Sequence, residues 1–181
     1  MRVKKIFMAI VAVAFLGFIS LNAAQDKEHN TFTFKDLNGK TVEMNTYVQG
    51  IHFKGAKGKV VLLDFFGNMC PPCLMEIPEL VDLQKEFKGK FQIVAFQVQT
   101  RTSDQDMRKF VKDHNINYTV INNSDPKVFD FTDYISAKTS WKGMIPFAIL
   151  FDKKGDASKV YLGMKSKKEF EKDINYLLNS K

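Results

Sequence analysis

The stretch Val60 to Pro78, VVLLDFFGNMCPPCLMEIP, holds both cysteines of the 181-residue chain and constrains the fold more than any other segment. Val60, Val61, Leu62 and Leu63 form an apolar run suited to a strand covered on both faces, and Asp64, Phe65 and Phe66 continue it. Gly67 and Asn68 break the pattern. Cys70 then stands where a helix N-cap stands, and Pro71 fills the first helical position, which tolerates proline. Ile77, Leu80, Val81 and Leu83 carry an apolar stripe onward. A buried strand therefore turns into a helix with a sulfur at its N-terminus.

Two cysteines separated by two residues in a first helical turn can close a small disulfide, and the open helix end favours thiolate over thiol. That points to redox chemistry. A zinc site is the first competing reading, but zinc wants four ligands and the other candidates, His29, His52 and His114, are scattered. No metal site and no cofactor is expected. An inert structural disulfide is the second, yet so short a loop stabilises little. Cys70, at the exposed helix end, is expected to attack a partner disulfide. Cys73, one turn in and more buried, then attacks the mixed disulfide and leaves Cys70 bonded to Cys73. Pro71 and Pro72 carry no N–H, so only Cys73 among the first three helical residues can donate to the Cys70 sulfur. A poorly stabilised thiolate makes the dithiol a reductant rather than an oxidant.

Met1 to Ala24 has the grammar of an export signal: Arg2, Lys4 and Lys5, an apolar run from Ile6 to Ile19, then small residues. Residues 1–24 are expected to be a leader cleaved after Ala24, with an uncleaved membrane anchor as the alternative, and residues 25–181 a single domain working in the periplasm. The 27 basic against 20 acidic side chains give +7. Lys153, Lys154, Lys165, Lys167 and Lys168 alternate with acidic and apolar residues, and without aromatic interleaving they do not suggest a nucleic-acid surface.

Thr31 to Met44 alternates apolar and polar residues around Asn38-Gly39, the signal of a β-hairpin, and Asn45 to Lys59 is expected to be a connector with one short helical turn. Phe91 to Val98 predicts a second buried strand parallel to the first, Thr102 or Ser103 a helix cap, and Tyr118 to Ile121 a third strand. Asp125-Pro126 opens another helix or turn. Asn117 and Asn122 lie in glycosylation sequons, but a strand and a tight turn are poor acceptors. Pro146 stands at the start of a strand, where proline is an anomaly. Lys153 to Asp156 then turns a hairpin, and Ser166 with Glu169 caps the final helix through Phe170, Ile174, Leu177 and Leu178.

The cysteine segment resembles the active site of the thioredoxin superfamily. Cys70-Pro71-Pro72-Cys73 followed by Glu76 and Pro78 is similar to the extracytoplasmic TlpA/ResA/CcmG branch, as is the hairpin ahead of the core; Phe66 and Met69 stand where that branch has tryptophan. The resemblance implies an α/β thioredoxin-like fold: a central mixed sheet with helices on both faces and an N-terminal β-hairpin. It implies a cis Ile145-Pro146 bond opposite the cysteines, with Ile145 lending its backbone to a bound substrate strand. Asp64 matches the buried acid that assists proton transfer for the second cysteine, and Glu76 an acid near the site. The plainer readings make Asp64 a strand-end residue with local hydrogen bonds and Glu76 a first-turn acid favoured by the helix dipole. The implied activity is reduction of client disulfides, in apocytochrome c or in copper-site oxidase assembly factors. A membrane thiol transporter of the DsbD or CcdA kind would supply electrons. A DsbA-like oxidase is the alternative enzyme, although the chain lacks room for that family's helical insertion. A binding or chaperone module with incidental cysteines is the alternative outside enzymes.

Overall fold

A five-stranded mixed sheet separates two apolar layers in the computed structural model, which describes residues 29–180; the expected leader, residues 1–24, lies outside the described residues. The chain runs β1 (Thr31–Lys35), β2 (Thr41–Tyr47), β3 (Gly50–Phe53), β4 (Val60–Phe66), α1 (Pro71–Glu86), β5 (Phe91–Gln97) and α2 (Asp104–Asp113). It continues through β6 (Thr119–Ile121), α3 (Lys127–Thr139), β7 (Phe147–Phe151), β8 (Ala157–Leu162) and α4 (Lys167–Asn179). The main sheet has the order β6-β5-β4-β7-β8. Its first three strands are parallel, and β7 and β8 each run antiparallel to the preceding neighbour in that order. This is the expected thioredoxin-like α/β architecture.

Strand β4 sits at the centre with all seven residues buried, so its side chains feed both layers. Leu62 and Phe66 point into the layer that holds both cysteines, Ile77 and Leu80 of α1, Met107 of α2, and Phe170 and Ile174 of α4. Leu63 and Phe65 point the other way, against Phe131 and Ile135 of α3 and against Phe34 and Met44 of the N-terminal strands. Aromatic rings dominate this second layer: Phe131 packs on Phe96 at 4.9 Å and on Phe32 at 4.9 Å between ring centroids. Each buried Phe contributes about 1.5–3 kcal/mol through surface removed from water.

The Asn38-Gly39 turn forms as expected, with the Asp36 carboxylate accepting the backbone N–H groups of Asn38 and Lys40 and Gly39 at φ 78°. The N-terminal element is nevertheless a three-stranded antiparallel sheet, not a hairpin alone. Part of the expected connector is β3, paired with β2 from Met44↔Phe53 to Tyr47↔Gly50. Ile51 and Phe53 are buried while His52 is exposed, an alternation of only four residues. Gly50 is what lets β3 approach the β7–β8 turn, since a Cβ there would stand 2.0 Å from the Gly155 carbonyl oxygen. Both sequon asparagines use their amide nitrogens inside the fold: Asn117 donates to the Val81 carbonyl, and Asn122 to the Thr102 carbonyl and Asp104.

Candidate active site

Helix α1 starts at the cysteines. Cys70 is its N-cap in extended backbone geometry, Pro71 and Pro72 follow at the first two helical positions, and the Cys73 N–H donates to Cys70 Sγ at 3.4 Å. The two sulfurs form a disulfide, with Cα atoms 5.2 Å apart. Gln97 and Gln99 brace the turn ahead of it: Gln97 donates to Asn68 Oδ1 and the Thr100 carbonyl, and Gln99 accepts the Met69 N–H. Gly67 leaves room for this brace, since a Cβ there would meet the Gln99 side-chain oxygen at 2.4 Å and displace it.

Ile145 and Pro146 face the disulfide across a cis peptide bond, with the Ile145 carbonyl oxygen 3.8 Å from Cys70 Sγ. This loop corrects one expectation. Cys70 keeps only 5% of its surface exposed against 1% for Cys73, so the order holds but Cys70 is not an open sulfur. Exposure belongs to its neighbours, Met69 and Met144, which form an apolar rim. Trp141 holds the loop: its Nε1–H donates to the Met144 carbonyl at 2.6 Å while its ring stacks on Phe147 at 4.8 Å.

Behind the disulfide lie two buried carboxyl groups. Asp64 is 2% exposed, and its Oδ1 finds no hydrogen-bond partner among the described residues. Burial holds its carboxyl well above the usual range and the nearby Glu76 charge adds to this, against a smaller opposing contribution from the Phe65 backbone. Glu76 is 3% exposed and accepts the Lys165 N–H at 2.7 Å. Burial pushes it up to about 7, offset in part by that hydrogen bond and the Lys165 charge. Because α1 begins at Pro71, Glu76 belongs to its second turn, and the helix dipole does not explain its position.

One buried acid thus lies three residues beyond Cys73 on α1 and the other on β4, facing the same apolar layer as the two cysteines. Sequence reasoning missed Trp141, the Gln97–Gln99 brace and Tyr118, whose phenol is held well above the usual range by burial first and by the charges of Asp64 and Glu76 second. The one tryptophan of the chain, five residues before Pro146, was the available signal for the first. The other two arise from strand register and leave no local pattern.

A redox-active cysteine pair at the N-terminus of the helix after the central strand, opposite a cis-proline loop, defines a thiol-disulfide oxidoreductase of thioredoxin fold. The chain belongs to the AhpC/TSA family, which it matches over residues 23–181. It is 28% identical to the thiol-disulfide oxidoreductase ResA of Bacillus subtilis, over 85% of this chain and 80% of that one. To the thioredoxin-like protein YneN of the same organism it is 24% identical, over 95% and 98%. Among solved structures, a thiol:disulfide interchange protein of the thioredoxin family from Chlorobium tepidum superposes with a TM-score of 0.65 at 26% identity, covering 86% of this chain and 99% of that one.

Proposed function

We propose that the protein is an exported reductase of client-protein disulfides. The observation that carries this reading is the donor set at Cys70: with prolines at the first two helical positions, the Cys73 N–H is the one backbone donor from those first three positions to its sulfur. A thiolate so sparsely stabilised gives up electrons readily. Cys70 attacks the client disulfide while the apolar rim and the Ile145 backbone receive the client strand. Cys73 then passes its proton to the Asp64–Glu76 pair and attacks Cys70, the client sulfur leaves as a thiolate that takes up a proton from water, and the Cys70–Cys73 disulfide re-forms. Two electrons have moved to the client.

The basic start and the apolar run of residues 1–24 support a site of action across the inner membrane, in the periplasm. The similarity to ResA supports clients such as apocytochrome c haem-site cysteines or copper-site cysteines of oxidase assembly factors, with electrons from a DsbD- or CcdA-type transporter. Alkylating thiols rapidly in intact cells tests the direction of flow. A reductase is found mainly as the dithiol, and turns to the disulfide when the transporter is deleted. A protein that rests as the disulfide in unperturbed cells contradicts the reading.

A further inference from the structure

Four chain segments meet around the disulfide, and none of them carries an acidic residue: residues 67–70 ahead of α1, 98–103 after β5, 140–146 ahead of β7 and 163–166 after β8. Short contacts hold them together. Gln99 accepts the Met69 N–H at 3.1 Å, the Ile145 carbonyl oxygen lies 3.8 Å from Cys70 Sγ, and the Gly163 N–H donates to the Pro146 carbonyl at 2.9 Å. The side chains these segments turn to solvent include the thioethers of Met69, Met144 and Met164 and the cations of Arg101 and Lys142. Lys165 adds a third, half-buried positive charge beside them.

Neither Arg101 nor Lys142 has a hydrogen bond or ion pair among the described residues. The acids that follow these segments are engaged elsewhere. Asp104 accepts from Asn122 and Ser124, Asp106 from Ser103, and Glu79 from the Lys167 N–H, while Glu76 is buried. Arg101 also stands on a fixed backbone. On one side of it the Thr100 carbonyl accepts from Gln97; on the other, the N–H and carbonyl of Thr102 pair with the side chains of Asn123 and Asn122. All three of these amide side chains belong to buried residues. A backbone set in advance loses little freedom when the guanidinium takes a partner. Lys142 is placed in a similar way, next to Trp141, whose indole holds the Met144 carbonyl and stacks on Phe147.

We propose that this rim selects clients by charge: the segment it receives carries a carboxylate beside its reacting cysteine, and Arg101 is the specificity-determining residue that binds it, reinforced by Lys142 from the cis-proline loop. Flexible thioethers accept apolar side chains of varied shape, so they discriminate little. Charge discriminates more. A guanidinium offers a carboxylate two parallel N–H donors, and a basic client segment would meet like charge from both loops. Because the pair is solvent-exposed, it acts mainly on the rate of association and is screened by salt.

This inference rests on the proposed exchange with client disulfides and holds whichever way the electrons flow. The test uses the reduced full chain and capped peptides that are identical except beside their one cysteine, where they carry aspartate, asparagine or lysine. Each peptide is supplied as a mixed disulfide with mercaptoethanol. Rate constants from stopped flow are divided by those of the same peptides with dithiothreitol, which removes the effect of the flanking charge on the disulfide itself. Wild type is expected to prefer the aspartate peptide to the lysine peptide by about fivefold at low salt, and the preference shrinks as ionic strength rises. Arg101→Glu abolishes or reverses it, and Arg101→Lys keeps most of it. Each ratio compares two peptides on one preparation, so a partly folded variant does not distort it. Equal rates for the three peptides with wild type overturn the proposal. A preference undiminished in Arg101→Glu overturns the role of Arg101. Failure to react with any of the peptides, while hydroxyethyl disulfide is reduced, overturns the client reading itself.

Discussion

At the scale of single residues, the proposed chemistry depends on two unequal sulfurs and two buried acids. The sulfurs differ in place more than in exposure: Cys70 caps the helix beside the Ile145 carbonyl, while Cys73 lies inside the first turn. Cys73→Ser is accordingly expected to accumulate mixed disulfides with client proteins, and Cys70→Ser almost none, as read on non-reducing gels after acid quenching. Equal trapping by Cys70→Ser would reverse the two roles. Glu76 gives a pH-dependent prediction. Burial pushes its folded-state carboxyl up to about 7, above the ordinary 4.5 of a glutamate, so the folded state binds the proton more tightly. Stability is then greatest at low pH in this window and falls as pH rises from about 4.5 to 7. Glu76→Gln keeps an acceptor for the Lys165 N–H and removes the titration. Denaturant midpoints against pH should show wild type losing on the order of 2 kcal/mol across that range relative to the variant. Parallel curves would mean that Glu76 carries no such shift.

Elements explain why those residues meet. The strand–turn–helix around the cysteines was legible because its signals are local: an apolar run, a glycine break, an N-cap and prolines where a helix accepts them. The hairpin turn and the Ser166–Glu169 capping box were legible for the same reason. Strand β3 was not, since four residues give too short an alternation and its place depends on Gly50 meeting the β7–β8 turn. Nor was the Tyr118 environment, which needs the register of β4, β5 and β6, strands that pair across intervening helices. The loop before β7 is an intermediate case: Pro146 marked it, while the indole that holds it was signalled only by being the one tryptophan of the chain. Trp141→Phe keeps an aromatic ring on Phe147 and loses the hydrogen bond to Met144. That change should cost about 1 kcal/mol of stability and slow mixed-disulfide formation several-fold, measured by stopped flow on a cysteine-containing peptide disulfide. An unchanged rate in the folded variant would show that the indole does not position the Ile145 backbone.

The whole molecule places one disulfide beyond the end of the central strand, beside the exposed Met69 and Met144, with two buried carboxyl groups on the same side of the sheet. Burial sets the affinity of that pair for protons, and the helix start sets the affinity of the dithiol for electrons. No helix among the described residues is long and apolar enough to cross a membrane. The most direct measurement is the equilibrium reduction potential of the Cys70–Cys73 couple at pH 7, by titration against a defined thiol buffer with alkylation of the free cysteines. A potential in the range of glutaredoxins, about −200 to −230 mV, or lower is the predicted result, because one backbone donor leaves the Cys70 thiolate poorly stabilised. A potential near −120 mV, about that of a dedicated oxidase, would contradict the account and reverse the direction of electron flow.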